Sequence, residues 1–109
     1  MAELTLAEEV DVGSHRVQTT IDVVVFADVG YSGRILNWDR AGVSEGVADT
    51  LAAPAALLID RELGEETCVD IEVWDLGSSE KWVLTREAAF GHVEKLARLL
   101  DQVEAAAYP

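Results

Sequence analysis

A chain of 109 residues, half of them hydrophobic, is long enough to bury a core without disulfide or metal staples, which argues against intrinsic disorder and makes a single domain over residues 1–109 the expected organisation. Its 21 acidic residues against 8 basic ones leave a formal charge of -13, and a field of that sign repels phosphate backbones and anionic headgroups, so direct nucleic-acid and membrane-surface binding are not expected. The longest apolar run, Leu51 to Ile59, contains Pro54 and falls well short of the roughly 18 residues of a bilayer span.

Cys68 is the only cysteine, so no internal disulfide can form, and the opening Met-Ala-Glu-Leu-Thr has neither a basic n-region nor a long apolar core. A cytoplasmic protein is the expectation.

From Glu3 to Ala27 the chain reads as a long antiparallel hairpin turning at Gly13-Ser14, where glycine supplies the positive φ of a type II′ loop. Pairing outward from Val12 and His15 sets Val10 opposite Val17, Leu6 opposite Ile21 and Leu4 opposite Val23 on a dry face, with Glu8 and Thr19 as the exception. The wet face carries Asp11 with Arg16, Glu9 with Gln18 and Thr5 with Asp22. Asp28 to Gly33, with two glycines, reads as a loop leading into a short strand near Arg34 to Trp38.

Val47, Leu51, Ala55, Leu58 and Ile59 then recur at helical spacing between Ser44, an N-cap residue, and Gly64, a C′ residue. Pro54 predicts a kink there or two short helices meeting. Thr67 to Asp75 alternates, with Val69, Ile71 and Val73 inward and Cys68, Asp70, Glu72 and Trp74 outward. Gly77-Ser78-Ser79 turns the chain into a strand over Lys81 to Leu84, and Thr85 caps a last helix running to about Ala106. That helix gathers Ala89, Val93, Leu96, Ala97, Leu100 and Val103 on one face and sets Glu94 four residues before Arg98 on the other. The order β-β-(β)-α-β-β-α predicts an α+β fold, a twisted antiparallel sheet with both helices packed on one face and the last of them covering the hairpin.

Chemistry-bearing residues are sparse. His15 and His92 stand without a second histidine or cysteine at ligand spacing, so neither metal nor cofactor is expected. None of the serines stands in a nucleophile elbow, and the glycine-rich phosphate loops are absent. Strand neighbours Glu66, Asp70 and Glu72 would raise the Cys68 pKa, which makes it an unreactive strand residue. Asp70 and Glu72 project from one strand face with Cα atoms about 6.8 Å apart, close enough for acid-base work, but an acid-rich strand produces such pairs automatically. The chain is therefore read as a non-enzyme with no catalytic residue.

Its charge is unevenly placed: Asp60 to Glu80 holds eight acids against Arg61 alone, whereas Lys81 to Pro109 is neutral. Tyr31, Trp38, Trp74 and Trp82 fall at strand ends or in loops, and tryptophan and tyrosine are enriched at binding hot spots. The candidate partner-binding residues are Asp70, Glu72 and Trp74, joined by Glu66, Tyr31 and Trp38. Together they point to an acidic interaction module that docks a basic protein partner, in the manner of an inhibitor or immunity-type protein; the similarity to such proteins is one of size and charge alone. A second reading is a small enzyme or ligand-binding domain from a host whose proteins are acidic throughout, which would suit two lysines against six arginines. Edge strands leave a homodimer open to either reading.

Overall fold

Gly13 takes a φ of 62°, which costs glycine nothing for want of a Cβ, and closes the Val12–His15 pair. A second two-residue turn, Asp28-Val29, separates the paired Ala27 and Gly30. In the computed structural model, which describes residues 4–107, these turns join β1 (Leu4–Val12), β2 (His15–Ala27) and β3 (Gly30–Asn37) into an antiparallel meander. Glu3, the expected first residue of the hairpin, lies outside the described residues.

The register read from the alternation holds from Val12 opposite His15 to Leu6 opposite Ile21. Beyond it β2 carries one extra residue, and Leu4 meets Val24 instead of the expected Val23. Such a bulge reverses the in-out alternation. Ile21 and Val24 are both buried, while Val23 turns to the opposite face. β3 also departs from expectation: it starts at Gly30 rather than near Arg34. The two glycines mark close approach, since the Thr67 carbonyl lies against Gly30 and Ile21, Ile59 and Ile71 converge on Gly33.

Helix α1 (Glu45–Leu63) starts and stops where its caps predict. The Ser44 hydroxyl accepts from the Val47 amide at 3.3 Å, and Gly64 ends the helix at φ 124°. Pro54 does not divide it: of the two expected outcomes, a kink or two short helices meeting, the second is excluded by one continuous 19-residue helix. An interior proline costs about 3 kcal/mol, but Ala52 to Ala56, Leu58 and Ile59 are all buried between the sheet and the helices that follow, and that burial outweighs the local penalty.

α1 carries the chain back across the sheet, so β4 (Cys68–Asp75) joins β3 in parallel, with Tyr31 opposite Cys68 and Asn37 opposite Asp75. β5 (Glu80–Thr85) then returns antiparallel. The sheet order is β1-β2-β3-β4-β5. The α+β class and element order are as expected, and the sheet is mixed because of this one parallel pair.

The last helix is two segments, α2 (Arg86–Gly91) and α3 (Val93–Ala107), interrupted at His92, with the Thr85 hydroxyl accepting from the Ala88 amide. It does not cover the whole hairpin. α1, with its close-packing alanines, lies over the sheet centre and takes Ile21, while α3 packs at the turn end and Leu4 is exposed. His15 fastens α3 there, its Nε2 lying 2.6 Å from Asp101 Oδ1 and its Nδ1 3.4 Å from Glu104 Oε2. Among the described residues Glu94 and Arg98 form no ion pair. No described helix is long and apolar enough to cross a membrane.

Candidate interaction surface

The helices occupy one side of the sheet and leave the other bare. By register, this bare face receives Val23 and Val25 from β2, Ser32, Arg34 and Leu36 from β3, and Lys81, Val83 and Thr85 from β5. Between them lie Asp70, Glu72 and Trp74 of β4, outward as the alternation requires, while Ile71 and Val73 are fully buried.

Cys68 does not follow them. A register shift between Tyr31 and Ser32 inserts Val69 as the extra residue, and Cys68 goes under the helices, 1% exposed. Burial pushes its thiol up to about 12; Asp60 adds to the rise, Arg86 opposes it and Asp70 contributes.

At the centre of the bare face the polar groups satisfy one another. The Ser32 hydroxyl donates to Asp70 Oδ1. The Trp74 indole N–H donates to Glu72 Oε1 at 3.0 Å, and Lys81 Nζ sits 3.7 Å from that same oxygen and 5.1 Å over the indole ring. Arg34 stands opposite Glu72 on β3, and among the described residues its buried Nε has no partner. Two cations thus balance two carboxylates, so the centre is amphoteric and the free acidity, at Glu65, Glu66 and Glu80, lies towards its ends.

The structure brings together only three of the six candidate residues, Asp70, Glu72 and Trp74. Tyr31 packs on the helix side, edge-on to Phe26 at 5.5 Å. Glu66 is exposed in the α1–β4 turn at φ 62°. Trp38, 77% exposed, lies past the other end of β3, roughly 23 Å of strand from Tyr31. There it lines an open cleft of about 430 Å³ with Arg40, Asp75 and Ser78.

Sequence reasoning missed how much of the acidic stretch is engaged within the chain. Asp60 receives Arg86 on both oxygens, at 2.9 and 2.6 Å, and accepts the amides of Glu66 and Cys68 at 3.2 and 3.0 Å. Burial pushes its carboxyl up, but Arg86 and the two amides outweigh burial and hold it below its ordinary value. Asp75 is shifted the same way: burial is overcome by the Ser78 hydroxyl and by the amides of Val43 and Gly77. Asp75-Leu76-Gly77-Ser78 is a turn pattern in which an aspartate caps its own following amides, the one local signal that could have found it.

Among the described residues no group of three His, Cys, Asp or Glu side chains is arranged to hold a metal. Compared with known families, curated proteins and solved structures, the chain matches none.

Proposed function

We propose that the protein is a non-catalytic interaction module whose bare sheet face, centred on Trp74, receives a predominantly basic protein surface. The observation that carries this reading is the composition of that face: half-exposed Val23, Val25, Leu36 and Trp74 with exposed Val83, interleaved with charge, on a side of the sheet that none of the described helices covers. Trp74 is a pre-ordered anchor, since Glu72 and Lys81 already hold its ring and less rotamer freedom is lost on contact. The overall charge of -13 steers a cationic partner inward.

Affinity capture at low salt from lysate of the producing cells, with wild type and a Trp74→Ala, Asp70→Lys, Glu72→Lys variant as paired baits, tests this. A partner held by wild type and released in a salt gradient should be lost from the variant. In kinetics on the single changes, Trp74→Ala should speed dissociation about tenfold or more, while charge reversal should slow association and flatten its salt dependence. Proteins retained equally by both folded baits, or none retained by wild type, would remove the case for this face.

A further inference from the structure

The five-stranded sheet ends in two edge strands, β1 and β5, and an open edge offers unpaired amides and carbonyls to another chain. One of the two is guarded. Along β1 the exposed Glu8, Glu9 and Asp11 charge the edge, and Arg61 Nη1 reaches over from α1 to donate to the Glu9 carbonyl at 2.6 Å. β5 has no such guard. All six of its residues pair with β4 in regular register, without a bulge, proline or glycine. Among the described residues its other edge meets no strand, and apart from the Ser78 hydroxyl on the Glu80 amide no group outside β4 bonds its backbone. Its one cation, Lys81, is turned away from that edge, since the ammonium lies over Trp74 and near Glu72 of β4.

Charge limits what can pair there. Glu80 and Lys81 cancel, so this edge is neutral within a chain of charge -13 and does not select a basic strand. It is complementary to itself. Antiparallel strands set same-face residues opposite one another, so a two-fold axis between two β5 strands passes beside a single residue. At Lys81 the axis brings two lysines together, and at Trp82 it sets Glu80 against Leu84. At Val83 it pairs Val83 with its own copy, Trp82 with Leu84 and Lys81 with Thr85, apolar to apolar and with no charge facing a like charge. Val83 is 53% exposed and free to make that contact.

We propose that two copies of the chain associate through β5, antiparallel and centred on Val83, into one continuous sheet. The helices of both copies then lie on one side and the two bare faces join on the other. Strand pairing alone buries less than a standard interface, so the dimer is reversible and forms at high protein concentration. Outside the neutral contact the two bodies, each of charge -13, repel one another, and salt screens that repulsion. Self-association therefore strengthens with salt, whereas docking of a basic partner at Trp74 weakens with it, so the two readings fail separately.

Sedimentation equilibrium of wild type, Val83→Glu and Val83→Lys, over a wide concentration range at low and moderate salt, tests this. Wild type should show a monomer–dimer equilibrium whose dissociation constant falls severalfold as salt is raised. Each variant alone sets like charges face to face on the axis and should weaken association about tenfold. An equimolar mixture of the two should recover dimer close to the wild-type level, because opposite charges then meet, and only a residue on the axis behaves in this way. Urea midpoints confirm that both variants stay folded. Wild type monomeric at every concentration and salt, a dimer indifferent to both changes, or a mixture no better than either variant alone would each overturn the proposal; the first would leave the open edge to a strand of another protein.

Discussion

Replacing Gly30 by alanine is expected to destabilise the fold by about 3 kcal/mol. A Cβ there would stand 2.2 Å from the Thr67 carbonyl oxygen and 3.0 Å from Val69 Cγ2. Thr67 O is the acceptor for the Tyr31 amide at 2.7 Å, so it cannot retreat without giving up the bond that begins the β3–β4 pairing. Neither side can yield cheaply, because Gly30 is itself buried and paired with Ala27. Urea unfolding should show a lower midpoint with an unchanged m-value. Gly46→Ala is the control: a Cβ in this first turn of α1 would meet no other group of the described residues within 4 Å, and alanine there should be neutral or stabilising by up to about 1 kcal/mol. A Gly30→Ala protein as stable as wild type would mean that the strands do not approach this closely.

The second large effect is expected at Asp60, and it depends on pH. Asp60→Asn keeps the shape but removes the charge that faces Arg86, whose side chain is 27% exposed against 16% for Asp60. Leaving the guanidinium without its carboxylate should cost about 2–4 kcal/mol at pH 7. Asp60 has a folded pKa below its ordinary 3.8. Its ionised form therefore contributes fully above the unfolded value, and the contribution fades as pH falls through the folded one. The stability gap between wild type and Asp60→Asn should be complete above about pH 5 and close steadily below pH 4. Asp75, shifted in the same direction, adds to the acid sensitivity of wild type without altering that difference. A gap of the same size at pH 7 and in strong acid would show that the amide is rejected for steric reasons instead.

Much of this fold was legible because alternation and capping are local signals. The pairing from Val12–His15 to Leu6–Ile21 follows from parity, and the bounds of α1 follow from Ser44 and Gly64. The same parity correctly set Asp70, Glu72 and Trp74 on one face. What escaped depends on contacts distant in sequence. Gly30 and Gly33 look like loop residues until the elements packed against them are known. The two bulges, which shift Val24 and Cys68 inward, leave no mark in a pattern of valines and acids. Asp60 and Arg86 are too far apart along the chain for their pairing to be guessed, and a charge count cannot tell a carboxylate engaged internally from one available to a partner. Trp38 and Tyr31 were grouped with Trp74 by residue type, yet strand direction puts them at opposite ends of β3.

The single parallel pair also divides the order in which the sheet assembles. β1, β2 and β3 are sequence neighbours joined by two-residue turns, so their meander can close within the microsecond range of isolated hairpins. Asn37 can meet Asp75 only after all of α1 has been laid across the sheet, and that long closure carries an entropy cost before any β4 contact repays it. During that interval one edge of β3 is unpaired and the core valines of β4 are uncovered, which makes this the moment of greatest exposure to aggregation. Pulsed hydrogen exchange during refolding should find the β2 amides protected before those of β4, and simultaneous protection would show instead that helix and strands condense together.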